Sequence, residues 1–198
     1  MQLLHFEIII VLYLRFANRE SKLKIMKKHN GMRPQDIVIL LKILSMGDHE
    51  WNNADIANSL NISASEVTEA LNRCKIARLI DAAKRKVHTN ALREFLIFGL
   101  KYVFPVEPGS VVRGVPTAHS AMPISEHITG GNENYVWPMA KGQLRGYSID
   151  PLYRTVPEIV SNNPSLYELL VIADTLRVGR AREIQIAIDE LDKRLSNA

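Results

Sequence analysis

Residues 53–77 leave room for two short helices and almost nothing between them, and that spacing restricts the chain more than any other feature. Asn53-Ala54-Asp55-Ile56-Ala57-Asn58-Ser59-Leu60 reads as the first helix, with Asn53 as its N-cap. Asn61-Ile62 is the turn, and Asn tolerates a left-handed backbone better than most residues. Ser63 and Glu66 have the spacing of a capping box, in which each side chain satisfies an orphan amide, and they start a second helix running to about Ala77. Val67, Ala70, Leu71 and Cys74 form its apolar stripe. A small residue, Ala57, lets the helices cross closely, and Ile56, Leu60, Ile62 and Val67 supply the contact between them. The pattern predicts a helix-turn-helix.

The flanks extend this unit. Upstream, Pro34 suits a first helical position and Asp36 the positive end of a helix dipole. Ile37, Leu40, Leu41 and Leu44 recur at helical spacing, and Gly47 ends the element. Downstream, Arg78-Leu79-Ile80-Asp81 and Val87-His88-Thr89 read as two short strands around the basic loop Lys84-Arg85-Lys86. Asn90 then caps a helix from Ala91 to about Val103. The expected fold is mainly α: a winged helix-turn-helix over residues 32–104 with a small β wing, an irregular Pro/Gly-rich segment over 105–164, and a C-terminal helical tail over 165–198.

Charge is concentrated in the first of these regions. Residues 26–104 hold 12 Lys/Arg against 8 Asp/Glu, whereas residues 105–164 hold 4 against 5 and residues 165–198 hold 5 against 6. A basic region with a polar helix face points to a polyanionic partner. Ser65, Thr68, Glu69 and Asn72 lie toward the N-terminal part of the second helix, the part that enters a major groove, and are the base-reading candidates. Arg73 and Lys75 are placed to touch phosphate, and Lys84, Arg85 and Lys86 would reach the backbone from the wing. Glu66 and Glu69 oppose phosphate binding.

On Asn53–Leu60, Ser63–Ala77, Leu79-Ile80 and the basic hairpin, residues 32–104 resemble the winged-helix domain of bacterial MarR-type transcriptional regulators. The whole chain is also similar to bacterial winged-helix proteins through Val112-Arg113-Gly114-Val115-Pro116-Thr117-Ala118-His119-Ser120 and through Ala173-Asp174-Thr175-Leu176-Arg177-Val178-Gly179-Arg180-Ala181-Arg182. The resemblance implies a sequence-specific regulator that binds double-stranded DNA without cofactor or enzymatic chemistry. The chain departs from the MarR pattern after the wing, where Phe104-Pro105-Val106-Glu107-Pro108 replaces a direct run into dimer helices. The alternative is a winged helix that docks a protein partner and binds no DNA.

Residues 105–164 hold 8 of the 9 prolines and 6 of the 10 glycines, so long helices are not expected there. Val111, Val112, Tyr135, Trp137, Leu144, Tyr147 and Ile149 are too many large apolar groups for a floppy linker. Helix returns at Ser165, with a capping box to Glu168. Ile184, Ile188, Leu191 and Leu195 then form a seam that would make a homodimer or bind a protein partner.

Other chemistry finds little footing. His119 and His127 are eight residues apart with no helical spacing to aim them together and, besides Glu126, no second carboxylate at metal-ligand spacing, and His119 and Ser120 are expected to bond local backbone. Gly130-Gly131 has no phosphate-loop context, and Cys74 lies on a buried stripe. A single cysteine fits a reducing, cytoplasmic setting. Leu3–Phe16 is apolar but interrupted by His5, Glu7 and Arg15, too short to span a bilayer, so no membrane role is expected. Residues 1–31 read as an extension ahead of a start at Met26 or Met32.

Overall fold

Helix α1 (Pro34–Ser45) carries its apolar residues nearly all round, and Ile37 to Leu41 are completely buried. It is the strut on which the rest is laid. This computed structural model describes residues 31–128 and 133–196; the expectations for the first 30 residues and for Gly130-Gly131 lie outside that range. Helices α2 (Asn53–Leu60) and α3 (Ala64–Ile76) follow, packed on α1 and on each other. Asn61 ends α2 at φ 52° and ψ 46°, the left-handed turn that the sequence led us to expect. The N-cap of α2 is Asn52 rather than Asn53: its side chain accepts from the Ala54 and Asp55 amides. Ser63 caps α3 by accepting from the Glu66 amide at 3.2 Å, but the Glu66 carboxylate turns to Arg73 instead of closing the box.

The wing is reduced. Only Ile80 and Val87 pair across it, in place of two strands. Helix α4 begins at Thr89 rather than beyond Asn90 and runs unbroken through Thr89–Glu94, a π-helical stretch Phe95–Gly99, and Leu100–Val103. A Cβ on Gly99 would meet the Phe95 ring at 3.0 Å, so glycine gives the widened turn its room.

The Pro/Gly-rich segment contains a sheet that periodicity did not reveal. Strands β1 (Val111–Pro116), β2 (Tyr135–Pro138) and β3 (Leu144–Ser148) each pair with both others, β1 antiparallel to the two and β2 parallel to β3. Such short strands can close only where backbones nearly touch. A Cβ on Gly114 would sit 2.0 Å from the Trp137 carbonyl oxygen, and one on Gly142 2.3 Å from that of Gly114. The glycines read as irregularity are therefore sheet contacts.

Helices α5 (Val156–Ile159), α6 (Pro164–Val178) and α7 (Ala181–Leu195) complete the chain. The start of α6 is Pro164, with no side-chain cap, and Glu168 bonds Arg194 rather than a helix end. Far from a tail, α6 is buried from Leu169 to Leu176 and packs on α1, α4 and α7. Met32–Ala198 is one compact unit with one continuous core, not a domain followed by two appendages. Gly179 ends α6 in an extended conformation, so α7 folds back and its seam turns inward. Leu191 is fully buried, and Ile184, Ile188 and Leu195 pack half-buried on the same core, so this seam is occupied within the chain. Polar clasps join the two halves: Thr155 Oγ1 donates to Leu60 O at 2.7 Å, and Arg93 Nη2 to Asp192 Oδ2 at 2.8 Å.

Candidate nucleic-acid interface

The outer face of α3 and the wing meet as one surface. Ser65, Thr68 and Lys75 are exposed, and Glu69 and Asn72 are half-buried. Thr68 Oγ1 donates to Ala64 O at 2.9 Å and accepts from Asn53 Nδ2 at 2.9 Å, which braces α2 against α3. Ser65 and Ser63 share a hydroxyl contact at 3.0 Å. These side chains lie on the solvent-facing side of α3.

Arg73 is the correction. It is 5% exposed and points into the helix junction. Its Nε donates to Asp36 Oδ2 at 2.8 Å and its Nη2 to Asp36 Oδ1 at 2.6 Å and Glu66 Oε1 at 2.9 Å. Asp36 is completely buried and also accepts from the Arg33 amide, capping α1. Position 73 is seven residues after 66, on the same flank of α3 as the contact with α1. Bonding to Asp36, and then to Glu66, holds the guanidinium even more firmly protonated than usual. Arg73 fastens α3 to α1 and is withdrawn from the phosphate contacts; Glu66 is likewise engaged in ion pairs with Arg73 and Arg33.

Asp81 organises the wing. Its carboxylate accepts from the Lys86 amide at 3.0 Å and the Arg85 amide at 2.6 Å, which hold its pKa below the usual value. Lys84 adopts φ 59°, and its ammonium donates to Asn72 Oδ1, tying wing to α3. Arg85 leans the other way: its Nη1 donates to Trp51 O at 2.5 Å, and its guanidinium lies 5.1 Å from the Trp51 ring centroid. Lys86 is exposed, and neither it nor Lys75 is ion-paired among the described residues. The three wing cations thus have separate duties: Lys84 a link, Arg85 a buttress, Lys86 a charge offered to solvent.

A second polar cluster lies under the sheet. Asp174 is 1% exposed and accepts from Trp137 Nε1 at 2.6 Å, Thr117 Oγ1 at 2.9 Å and Arg177 Nη1 at 2.7 Å. Burial pushes its pKa up, while Arg177 works against that shift. Arg177 Nε also donates to Phe104 O at 2.9 Å. The cluster joins the two stretches quoted above for the whole-chain resemblance, Val112–Ser120 and Ala173–Arg182. Asp174, Thr117 and Trp137 are all buried, so the cluster fastens the loop after β1, β2 and α6 to one another.

His119 Nε2 lies 2.7 Å from Glu133 O and Ser120 Oγ accepts from the Tyr135 amide at 2.8 Å, so both engage backbone 14 and 15 residues along the chain rather than their immediate neighbours, and the buried His119 Nδ1 has no hydrogen-bond partner among the described residues. Burial raises the Cys74 thiol pKa, which suppresses its nucleophilic form. Among the described residues no His/Cys/Asp/Glu group could hold a metal, and no helix is long and apolar enough to cross a membrane. Compared with models of known families, with curated proteins and with solved structures, the chain gives no match.

Proposed function

We propose that the chain is a DNA-binding transcriptional regulator that presents α3 to the major groove and the wing to the phosphate backbone. The observation that carries this reading is the joint surface of α3 and wing: Asn72 and Lys84 bond across it, and Ser65, Lys75 and Lys86 project from it unburied. Ser65, Thr68 and Asn72 are short polar groups suited to base edges, while Lys75 and Lys86 suit phosphate. The resemblance to MarR-type regulators points the same way. No bond has to be made or broken for such a protein to act.

The test is a fluorescence-anisotropy titration with duplex DNA of random sequence over a salt series. Binding should weaken steeply with salt, and K75A/K86A should reduce both affinity and slope, by roughly one slope unit for each lost phosphate contact. Absence of binding at low salt defeats the proposal and favours a protein partner instead.

A further inference from the structure

The long helix α4 buries Leu92, Leu96 and Leu100 and turns the opposite side to solvent. That outer side holds three of the largest apolar exposures in the described chain: Phe98 is 68% exposed, Tyr102 72% and Val103 51%. Two aromatic rings on one helical face are more than the scattered apolar exposure of an ordinary surface. The face is also polarised. Glu94 is exposed one turn before Phe98, and Lys101 sits one turn after it, with its Nζ 4.9 Å from the Tyr102 ring centroid. The sequence along the face therefore runs acid, aromatic, aromatic with base.

We propose that this face binds a second copy of the chain, with the two α4 helices antiparallel about a two-fold axis near Phe98. That arrangement is the one in which the face complements itself. Glu94 of each copy comes opposite Lys101 of the other, the two Phe98 rings meet at the axis between these pairs, each Tyr102 ring flanks a pair on its outer side, and the helix dipoles oppose. A parallel pairing would set Glu94 against Glu94 and Lys101 against Lys101. The seam Ile184–Leu195 cannot supply this contact, because the chain's own core already takes it. One helix face is small beside the ~800 Å² per partner of a standard interface, which sets the expected affinity in the micromolar range.

Sedimentation equilibrium of the whole chain without nucleic acid tests the pairing independently of any DNA binding. Wild type should be a reversible dimer, and F98D/Y102D a monomer with unchanged circular dichroism, since both side chains are exposed. E94K should weaken the dimer roughly tenfold, each contact occurring twice, and E94K/K101E should restore it. A wild-type monomer at about 0.1 mM overturns the proposal. So does a dimer indifferent to F98D/Y102D, or an E94K/K101E chain no tighter than E94K.

Discussion

The α3–wing surface and the junction beneath the sheet are both rich in polar side chains, yet they spend them in opposite ways. Around Asp174, every donor and acceptor is sunk and matched, and the groups hold β2, the loop after β1, and α6 in one place. Across α3 and the wing, Arg73 is matched beneath, Arg85 to one side and Asn72 with Lys84 between the two elements, while Ser65, Lys75 and Lys86 stay at the surface. A cation's role is decided by whether a carboxylate or an aromatic ring waits beside it, not by its residue type. Arg73 and Arg177 belong to the first manner although only one of them lies outside the helix-turn-helix.

The contrast should appear first in stability. Asp174→Ala strands the Trp137 and Thr117 donors and the Arg177 guanidinium, and should cost about 3–5 kcal/mol in urea unfolding. A loss under about 1 kcal/mol would mean that the junction does not hold the fold. Arg73→Met should cost about 3 kcal/mol, because Asp36 is left buried without its partner. Any fall in DNA affinity of that variant should track its unfolded fraction. An intact fold with a shallower salt slope would return Arg73 to the phosphate contacts.

The surface residues should behave inversely. K75A/K86A should leave stability within about 0.5 kcal/mol of wild type while lowering DNA affinity. Arg85→Ala, which loses a ring contact and a carbonyl bond at Trp51, should fall between, at about 1 kcal/mol. The smallest effect is one of pH. Burial disfavours the Glu190 charge, but Lys193 and Arg194 overcome that and hold its pKa down to about 2 from 4.5. A depressed carboxylate stabilises the fold above its unfolded pKa and loses that contribution as pH falls through the folded value. The stability gap between wild type and Glu190→Gln should therefore be full above pH 4.5 and narrow toward pH 2; a gap constant over that window would contradict it.

The same contrast explains what could be read in advance. Helices α1 to α3 announce themselves through local spacing and caps, and Asn61 even reveals its backbone conformation. The α3 surface followed, because a helix fixes which residues share a face. Arg73 was misjudged because its partner Asp36 is 37 residues away and had a sufficient local explanation as a helix-end charge. The sheet escaped for a related reason: its strands are four to six residues long, and its glycines serve contacts between distant backbones. The seam on α7 was found correctly, but nothing local says whether its cover comes from another molecule or from α6.

Hydrogen–deuterium exchange of the whole chain, with and without saturating duplex DNA, separates the two surfaces. If α3 and the wing bind DNA, exchange should slow in peptides covering residues 63–88 and not in those covering β1 to β3. Unchanged exchange at residues 63–88 together with protection elsewhere would contradict it.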